Sequence, residues 1–144
     1  MNEEEIGKLT LDAAFTVHRE LGPGLLESVY EAAMAIELRR LGLSVERQVP
    51  IPVIYRGEPL EIGFRADLVI NRLVLVELKS VETVTPVFKK TTLTYLRLIP
   101  LRLGFIINFN EVLLKNGITR IVQDLALSSY PSSRPSRSSR DPSP

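Results

Sequence analysis

Three charged residues interrupt two neighbouring apolar segments near the middle of the chain. Asp67 lies in the first segment, residues 62–70, while Glu77 and Lys79 lie in the second, residues 74–79. Both segments are rich in β-branched residues and flank a short polar break, a pattern that predicts a β-hairpin. Side chains alternate between the two faces of a strand, so Glu77 and Lys79 share one face.

The length of the turn decides whether Asp67 joins that face. A two-residue turn at residues 71–72 pairs Ala66 with Glu77 and sends Asp67 to the opposite face. A three-residue loop at residues 71–73 pairs Asp67 directly with Glu77. The residues themselves leave both registers open.

In the second register two carboxylates lie side by side, where like charges repel unless a cation separates them. A hard divalent cation with oxygen ligands would relieve the repulsion. Lys79 would stand one pleat away, where it could position water or neutralise developing charge. The arrangement suits metal-assisted phosphodiester hydrolysis. The alternative is a surface hairpin whose charged residues form its solvated face.

Composition narrows the kinds of metal site and the cellular setting. The chain has 144 residues, no cysteine and one histidine, His18, which indicates one domain without a thiolate or multi-histidine site. Any metal must therefore be bound by oxygen, which favours Mg²⁺, Mn²⁺ or Ca²⁺. No segment approaches membrane-spanning length and the first residues are acidic. We therefore expect a cytoplasmic protein with no membrane partner.

The net charge of +1 is unevenly distributed. Residues 128–144 contain three arginines and one aspartate, which leaves the preceding body at −1. The body is therefore not a basic module that coats nucleic acid. Any contact that it makes with DNA or RNA must involve a local surface patch or a bound metal. Serine, proline and arginine dominate residues 128–144, which predicts a disordered tail after a folded domain of residues 1–127.

Helices and strands must position the charged residues. Apolar spacing predicts a helix over residues 5–21 and a second over 25–41, with Gly42 as its left-handed C-terminal residue. Residues 44–55 predict one strand bent by two prolines, at an edge or a bulge. The later elements are a helix over 86–98, a strand over 102–109 buried on both faces, and a short strand over 118–125. The order α-α-β-β-β-α-β-(β) indicates an α/β (α+β) fold with a mixed sheet flanked by helices.

The first turn of the second helix carries Glu27 and Tyr30 on one face. Taken alone, Glu27 compensates the helix dipole and Tyr30 is a core aromatic with its hydroxyl at the rim. The hydrolase hypothesis requires this end of the helix to meet the charged face of the hairpin. Glu27 would then approach Asp67 and Glu77.

Three motifs, in order, resemble those of one family. Residues 24–30, Gly-Leu-Leu-Glu-Ser-Val-Tyr, match G-x-x-E-x-x-Y, and Phe-Arg-Ala-Asp at 64–67 and Val-Glu-Leu-Lys at 76–79 follow. Over roughly residues 5–125 the chain closely resembles the GxxExxY protein family, which is placed in the PD-(D/E)XK nuclease superfamily. The resemblance implies a restriction-endonuclease-like core, with a central mixed sheet and helices on both faces.

The resemblance also implies an active constellation of Glu27, Asp67, Glu77 and Lys79 in a metal-dependent nuclease acting on DNA or RNA. Mg²⁺, or Mn²⁺ as its substitute, would be held by Asp67, Glu77, the backbone carbonyl of Leu78, and Glu27 directly or through water. Lys79 would serve the attacking water. The resemblance therefore favours the three-residue loop.

Four further residues receive a substrate-binding or supporting role from the resemblance: His18, Tyr30, Arg65 and Tyr95. For Arg65 an ion pair with Glu61 or Asp67 is an equal alternative.

The helix after the lysine strand departs from the family pattern. Relatives tend to carry a histidine and a glutamine where this chain has Phe88 and Thr91. The departure motivates an alternative, a catalytically weakened nuclease fold that binds nucleic acid or acts as a protein-interaction module. A structural protein that pairs through its sheet edge is a third possibility, which Pro50 and Pro52 disfavour. The sequence leaves the oligomeric state open.

Overall fold

The computed structural model describes residues 1–61 and 63–124, so Ile62 and the predicted tail at residues 128–144 lie outside it. The helices are α1 (Glu3–Leu21), α2 (Glu27–Arg40) and α3 (Pro86–Leu98). The strands are β1 (Val45–Ile51), β2 (Ile54–Tyr55), β3 (Glu58–Pro59), β4 (Phe64–Ile70), β5 (Val74–Lys79), β6 (Leu103–Asn108) and β7 (Ile118–Val122), with a 3₁₀ turn at Leu114–Gly117.

Five strands form one mixed sheet in the order β1-β4-β5-β6-β7. Strand β4 runs antiparallel to both β1 and β5. Strands β5 and β6 are parallel and are connected through α3, and β7 runs antiparallel to β6 at the other edge. The fold is therefore α+β with a mixed sheet, as the order of elements predicted.

Local sequence signals account for some of the helix ends. Asn2 caps α1, because its side chain accepts the Glu5 N–H while the Glu5 side chain accepts the Asn2 N–H. Helix α2 begins at Glu27, two residues later than predicted, because Leu26 keeps an extended backbone. Gly42 follows α2 with φ +84°, the predicted left-handed conformation. Within residues 1–61 and 63–124 no helix is both long and apolar enough to cross a bilayer.

Strand β1 is shorter than the sequence predicted. It ends at Ile51, and β2 leaves the main sheet to pair with β3 in a small hairpin. The prediction of one bent strand over residues 44–55 is therefore wrong. Pro52 has no N–H with which to extend the ladder. The predicted edge position is correct, since β1 is the first strand of the sheet and so tolerates Pro50.

Both faces of the sheet are covered by helices. Helices α1 and α2 pack on one face, against residues such as Leu68 and Val76. The other face buries Leu75 against Leu96 of α3. All six residues of β6 are buried, as predicted. Because strand side chains alternate, Glu77 lies on the α3 face, two residues beyond Leu75.

Candidate active site

A three-residue loop sets the register of the β4–β5 hairpin. Ile70 pairs with Val74, which leaves residues 71–73 as the loop. Continuing this register along the two strands places Asp67 opposite Glu77. The longer loop is therefore confirmed, and the two-residue turn is wrong.

Two loop residues hold a left-handed backbone. Asn71 and Arg72 have φ values of +50° and +57°. Asparagine tolerates this conformation better than most residues. The Asn71 side chain also accepts a hydrogen bond from the Ser44 N–H at 2.7 Å. The loop is thus anchored to the connection between α2 and β1.

Asp67 and Glu77, which we call the acid pair, lie where regular pairing between β4 and β5 stops. The Asp67 N–H donates to Glu77 Oε2 at 2.9 Å, and the Leu78 N–H donates to Asp67 Oδ2 at 2.7 Å. Each carboxylate therefore accepts a backbone N–H from the neighbouring strand. Glu77 is only 7% exposed and Asp67 is half-buried. The two side chains are held beside each other in a largely dry position.

Burial raises the pKa of both carboxyls in the acid pair. For Asp67, the hydrogen bonds from Leu78 and Gln48 oppose the effect of burial. For Glu77, burial and then the neighbouring Asp67 carboxylate raise the pKa to about 8. A carboxyl with that pKa holds a proton at pH 7 unless a cation takes its place. Either a proton or a bound cation would therefore relieve the unfavourable negative charge of the acid pair.

A polar network that the sequence analysis missed supports the acid pair. Gln48 Nε2 donates to Glu31 Oε1 at 2.6 Å and to Asp67 Oδ1 at 3.3 Å, and Arg47 Nε donates to Glu31 Oε2 at 2.9 Å. Glu31 lies one helical turn after Glu27, a spacing that could have identified it. Gln48 gave no such signal, because its place depends on a left-handed backbone with φ +51°.

The N-terminal end of α2 lies beside the end of β5. Ser80 Oγ donates to Leu25 O at 2.6 Å, which ties the residue after β5 to the loop before α2. Glu27 is exposed in the first turn of α2. After burial and closer partners, its charge also raises the pKa of both members of the acid pair. Glu27 thus lies within the electrostatic field of the pair.

Tyr30 is fully buried and fixes the loop that precedes α2. Its hydroxyl donates to Gly22 O at 2.6 Å and accepts the Leu25 N–H at 3.0 Å. Its ring stacks on Phe109, with centroids 4.3 Å apart and planes 9° apart. The structure therefore places Tyr30 in support of the helix start that carries Glu27.

His18 and Arg65 contact other parts of the fold. His18 Nε2 hydrogen-bonds to Glu111 O at 2.8 Å, in the loop that follows β6. Arg65 is exposed and donates through Nη1 to Gln48 O at 3.2 Å. Among residues 1–61 and 63–124 Arg65 forms no ion pair, so the alternative considered from the sequence is absent there.

Lys79 is half-buried at the end of β5, one pleat beyond Glu77. Its Nζ atom lies 4.3 Å from the centroid of the Phe88 ring, a cation–π contact. Its charge partly lowers the pKa of Glu77, against the larger effects of burial and of Asp67. Phe88, which departs from the family pattern, therefore holds the lysine ammonium.

Tyr95 is buried on α3 close to the acid pair. Burial, followed by the charges of Glu77 and Asp67, raises the pKa of its hydroxyl. Its ring lies 5.5 Å from that of Phe64, with the planes tilted by 38°. Of the four supporting residues named from the sequence, Tyr95 is thus placed within the field of the acid pair.

The donor set suits a hard divalent cation but is small. Its ligands are carboxylate oxygens, whose burial and mutual repulsion a cation would relieve. In the part of the chain that the structure describes, no group of three or more Asp, Glu, His or Cys side chains is arranged to hold a metal. The fit of this site to a divalent cation therefore depends on the two carboxylates of the acid pair. The Leu78 backbone lies beside Asp67.

Comparison with known proteins gives one match. A family model described as the PD-(D/E)XK nuclease superfamily matches residues 4–121. No curated protein and no solved structure matches the chain. The matched range includes the acid pair, Lys79 and nearly all of the described residues. The narrower GxxExxY assignment stays a prediction.

Proposed function

The chain belongs to the PD-(D/E)XK nuclease superfamily, and from this premise we propose that it is a metal-dependent nuclease whose site is the acid pair with Lys79. Over the described residues, a five-stranded mixed sheet with three helices is consistent with the restriction-endonuclease-like fold of that superfamily. One observation carries the proposal. Two partly buried carboxylates, each fixed by a backbone N–H of the other strand, lie side by side next to a lysine.

In this proposal the acid pair holds Mg²⁺, or Mn²⁺ in its place. The Leu78 carbonyl and Glu27 complete the set of metal ligands. PD-(D/E)XK nucleases generally use divalent metals such as Mg²⁺. When bound, the metal would supply Lewis-acid polarisation of the scissile phosphate. The substrate in this proposal is DNA or RNA.

The chain's own residues orient the reacting groups. The Lys79 ammonium has three N–H donors and can hold a water molecule or a phosphate oxygen beside Glu77. The Phe88 ring limits where that ammonium can lie. Gln48, held by Glu31, donates to Asp67 and keeps its carboxylate in place. Fixed groups of this kind lower the cost of organising the transition state.

A second candidate is a catalytically weakened member of the same superfamily that binds nucleic acid or a protein partner. The observation that favours it is Phe88, an apolar residue that takes up the Lys79 ammonium. In that case the acid pair would bind metal weakly, and binding would occur without cleavage.

The test compares isosteric variants in a cleavage assay with Mg²⁺ or Mn²⁺. The substrates are single-stranded DNA, duplex DNA and RNA. We expect Asp67→Asn, Glu77→Gln and Lys79→Met each to reduce cleavage by about 100-fold or more, since each removes a group acting on transition-state charge. Lys89→Met, which removes an exposed lysine from α3, is the matched control and should keep full activity.

Titration calorimetry of Mn²⁺ into the wild type and Glu77→Ala tests the metal site separately. Binding to the wild type that is lost in Glu77→Ala supports the acid pair. Cleavage that survives in both Asp67→Asn and Lys79→Met would show that the site assignment is wrong. Binding of nucleic acid without cleavage under any of these conditions would favour the second candidate.

A further inference from the structure

A half-exposed aromatic side chain lies next to the site without a part in the proposed reaction. Phe64 is the first residue of β4, and 52% of its surface is exposed. One side of its ring contacts Tyr95, at 5.5 Å between centroids. Single exposed apolar side chains are common on protein surfaces, and what sets Phe64 apart is its contact with Tyr95 close to the acid pair.

Tyr95 connects this ring to the acid pair. The charges of Glu77 and Asp67 act on the Tyr95 hydroxyl, while the Tyr95 ring contacts Phe64. Tyr95 is buried, so its ring supports Phe64 from the protein side, and Phe64 alone presents an exposed aromatic face. A molecule lying on Phe64 would be a close neighbour of a group held at the acid pair.

Phe64 also lines a cavity of about 300 Å³ between the end of β1 and the start of β4. Apolar residues, including Ile51 and Leu60, form much of its wall, and Arg65 adds an exposed guanidinium. One Arg65 donor is used by Gln48 O. A guanidinium carries five N–H donors, so others remain for a phosphate. Phe64, Arg65 and Glu61 all line the cavity, which therefore combines an aromatic residue with one cationic and one anionic residue.

The net charge of the chain bears on how it could bind nucleic acid. The body that precedes the arginine-containing tail has a net charge of −1, so it lacks the broad basic surface that supplies non-specific affinity for duplex nucleic acid. Stacking of a base on an aromatic ring needs no such charge. It does need a base with a free face, which a base stacked inside a duplex does not have.

We propose that Phe64, supported by the buried Tyr95 ring and with Arg65 beside it in sequence, forms a stacking subsite for an unpaired nucleobase. The inference rests on the proposed function and deepens it, because it names single-stranded or locally unpaired nucleic acid as the substrate class. The base lies on the exposed face of Phe64, and an adjoining phosphate meets Arg65. The neighbouring phosphate then reaches the acid pair.

The test measures binding in EDTA, where metal-dependent cleavage does not occur. Fluorescence anisotropy compares a labelled strand of twelve thymidines, about the length of one single-strand site, with an abasic strand of equal length and charge. We expect the wild type to bind the base-bearing strand more tightly, by roughly five- to hundredfold, the range that one stacking aromatic provides. Phe64→Leu should remove this preference, and Phe64→Tyr should keep it.

The controls separate stacking from folding. Leucine keeps most of the apolar contact with Tyr95, so Phe64→Leu should stay folded, and Val112→Ala removes an exposed apolar side chain that does not line the cavity. Equal affinity of the wild type for the two strands, no measurable binding, or a preference that survives in Phe64→Leu would each overturn the subsite.

A parallel cleavage assay distinguishes this failure from failure of the proposed function. Cleavage without a base preference refutes the subsite and leaves the nuclease proposal standing. A preference that depends on Phe64, without cleavage in Mg²⁺ or Mn²⁺, supports the subsite and refutes the nuclease.

Discussion

The Glu77 carboxyl makes the stability of the metal-free protein depend on pH. Burial and the Asp67 carboxylate raise its pKa from the ordinary 4.5 to about 8. The folded state therefore holds a proton that the unfolded chain releases. The contribution to stability is complete below about pH 4.5 and is lost as the pH rises to about 8, by at most about 1.4 kcal/mol per pH unit. The pKa of Asp67 is also raised, so it acts in the same direction.

We predict that Glu77→Gln flattens this decline, because glutamine does not titrate. The measurement is the thermal midpoint in EDTA between pH 5 and pH 9 for the wild type and for Glu77→Gln. Glu82→Gln, at an exposed position, serves as the control and should follow the wild type. A wild-type stability that increases relative to Glu77→Gln between pH 5 and pH 8 would contradict the assignment.

Among the elements, the β4–β5 loop stores conformational strain. Arg72 has φ +57°, a region that costs a residue with a Cβ atom roughly 1–2 kcal/mol and costs glycine little. We predict that Arg72→Gly stabilises the protein by up to about 1 kcal/mol, measured by urea unfolding. The lost ion pair to Glu46, 3.7 Å and exposed, contributes little.

Arg72→Ala is the matched control for this loop. It removes the same ion pair but keeps the strained backbone, so it should be no more stable than the wild type. If Arg72→Gly is no more stable than Arg72→Ala, the left-handed conformation at this position is not a source of strain.

Elements with strong local signals were predicted well. Helix α3 has the predicted bounds, because Pro86 suits its first turn and Pro100 lies just beyond its end. The register of the hairpin was left open by its residues, since both turn lengths keep an apolar alternation. The resemblance, rather than the alternation, pointed to the longer loop. The predicted strand over residues 44–55 was too long because no local sequence signal shows that β2 pairs with β3.

At the scale of the whole fold, the sheet separates two hydrophobic cores among residues 1–61 and 63–124. Leu38 of α2 is fully buried in the larger core. We predict that Leu38→Ala lowers the free energy of unfolding by about 2–5 kcal/mol, the usual effect of a cavity at such a position. Ile36→Ala, on the same helix but 52% exposed, should change it by less than about 1 kcal/mol. Urea unfolding measures both, and equal losses would show that α2 packs differently.

The site as a whole could be predicted only in part. Asp67, Glu77 and Lys79 lie close together in sequence, so strand alternation and one loop length relate them. The approach of Glu27 depends on a contact between Ser80 and Leu25, 55 positions apart, which no local pattern encodes. The contacts of Gln48 with Glu31 and Asp67 span 17 and 19 positions and depend on its left-handed backbone, which no local pattern indicated.

The closeness of the acid pair along the chain bears on the order of folding events. Asp67 and Glu77 are ten positions apart on one hairpin, whereas Gln48 is 17 positions from Glu31 and 19 from Asp67. Hairpins close within microseconds, and contacts between distant segments generally form later. We therefore expect the two carboxylates to meet before Gln48 supports them. In that order their repulsion slows an early step of folding, and we expect protons or divalent cations in the refolding solution to speed it.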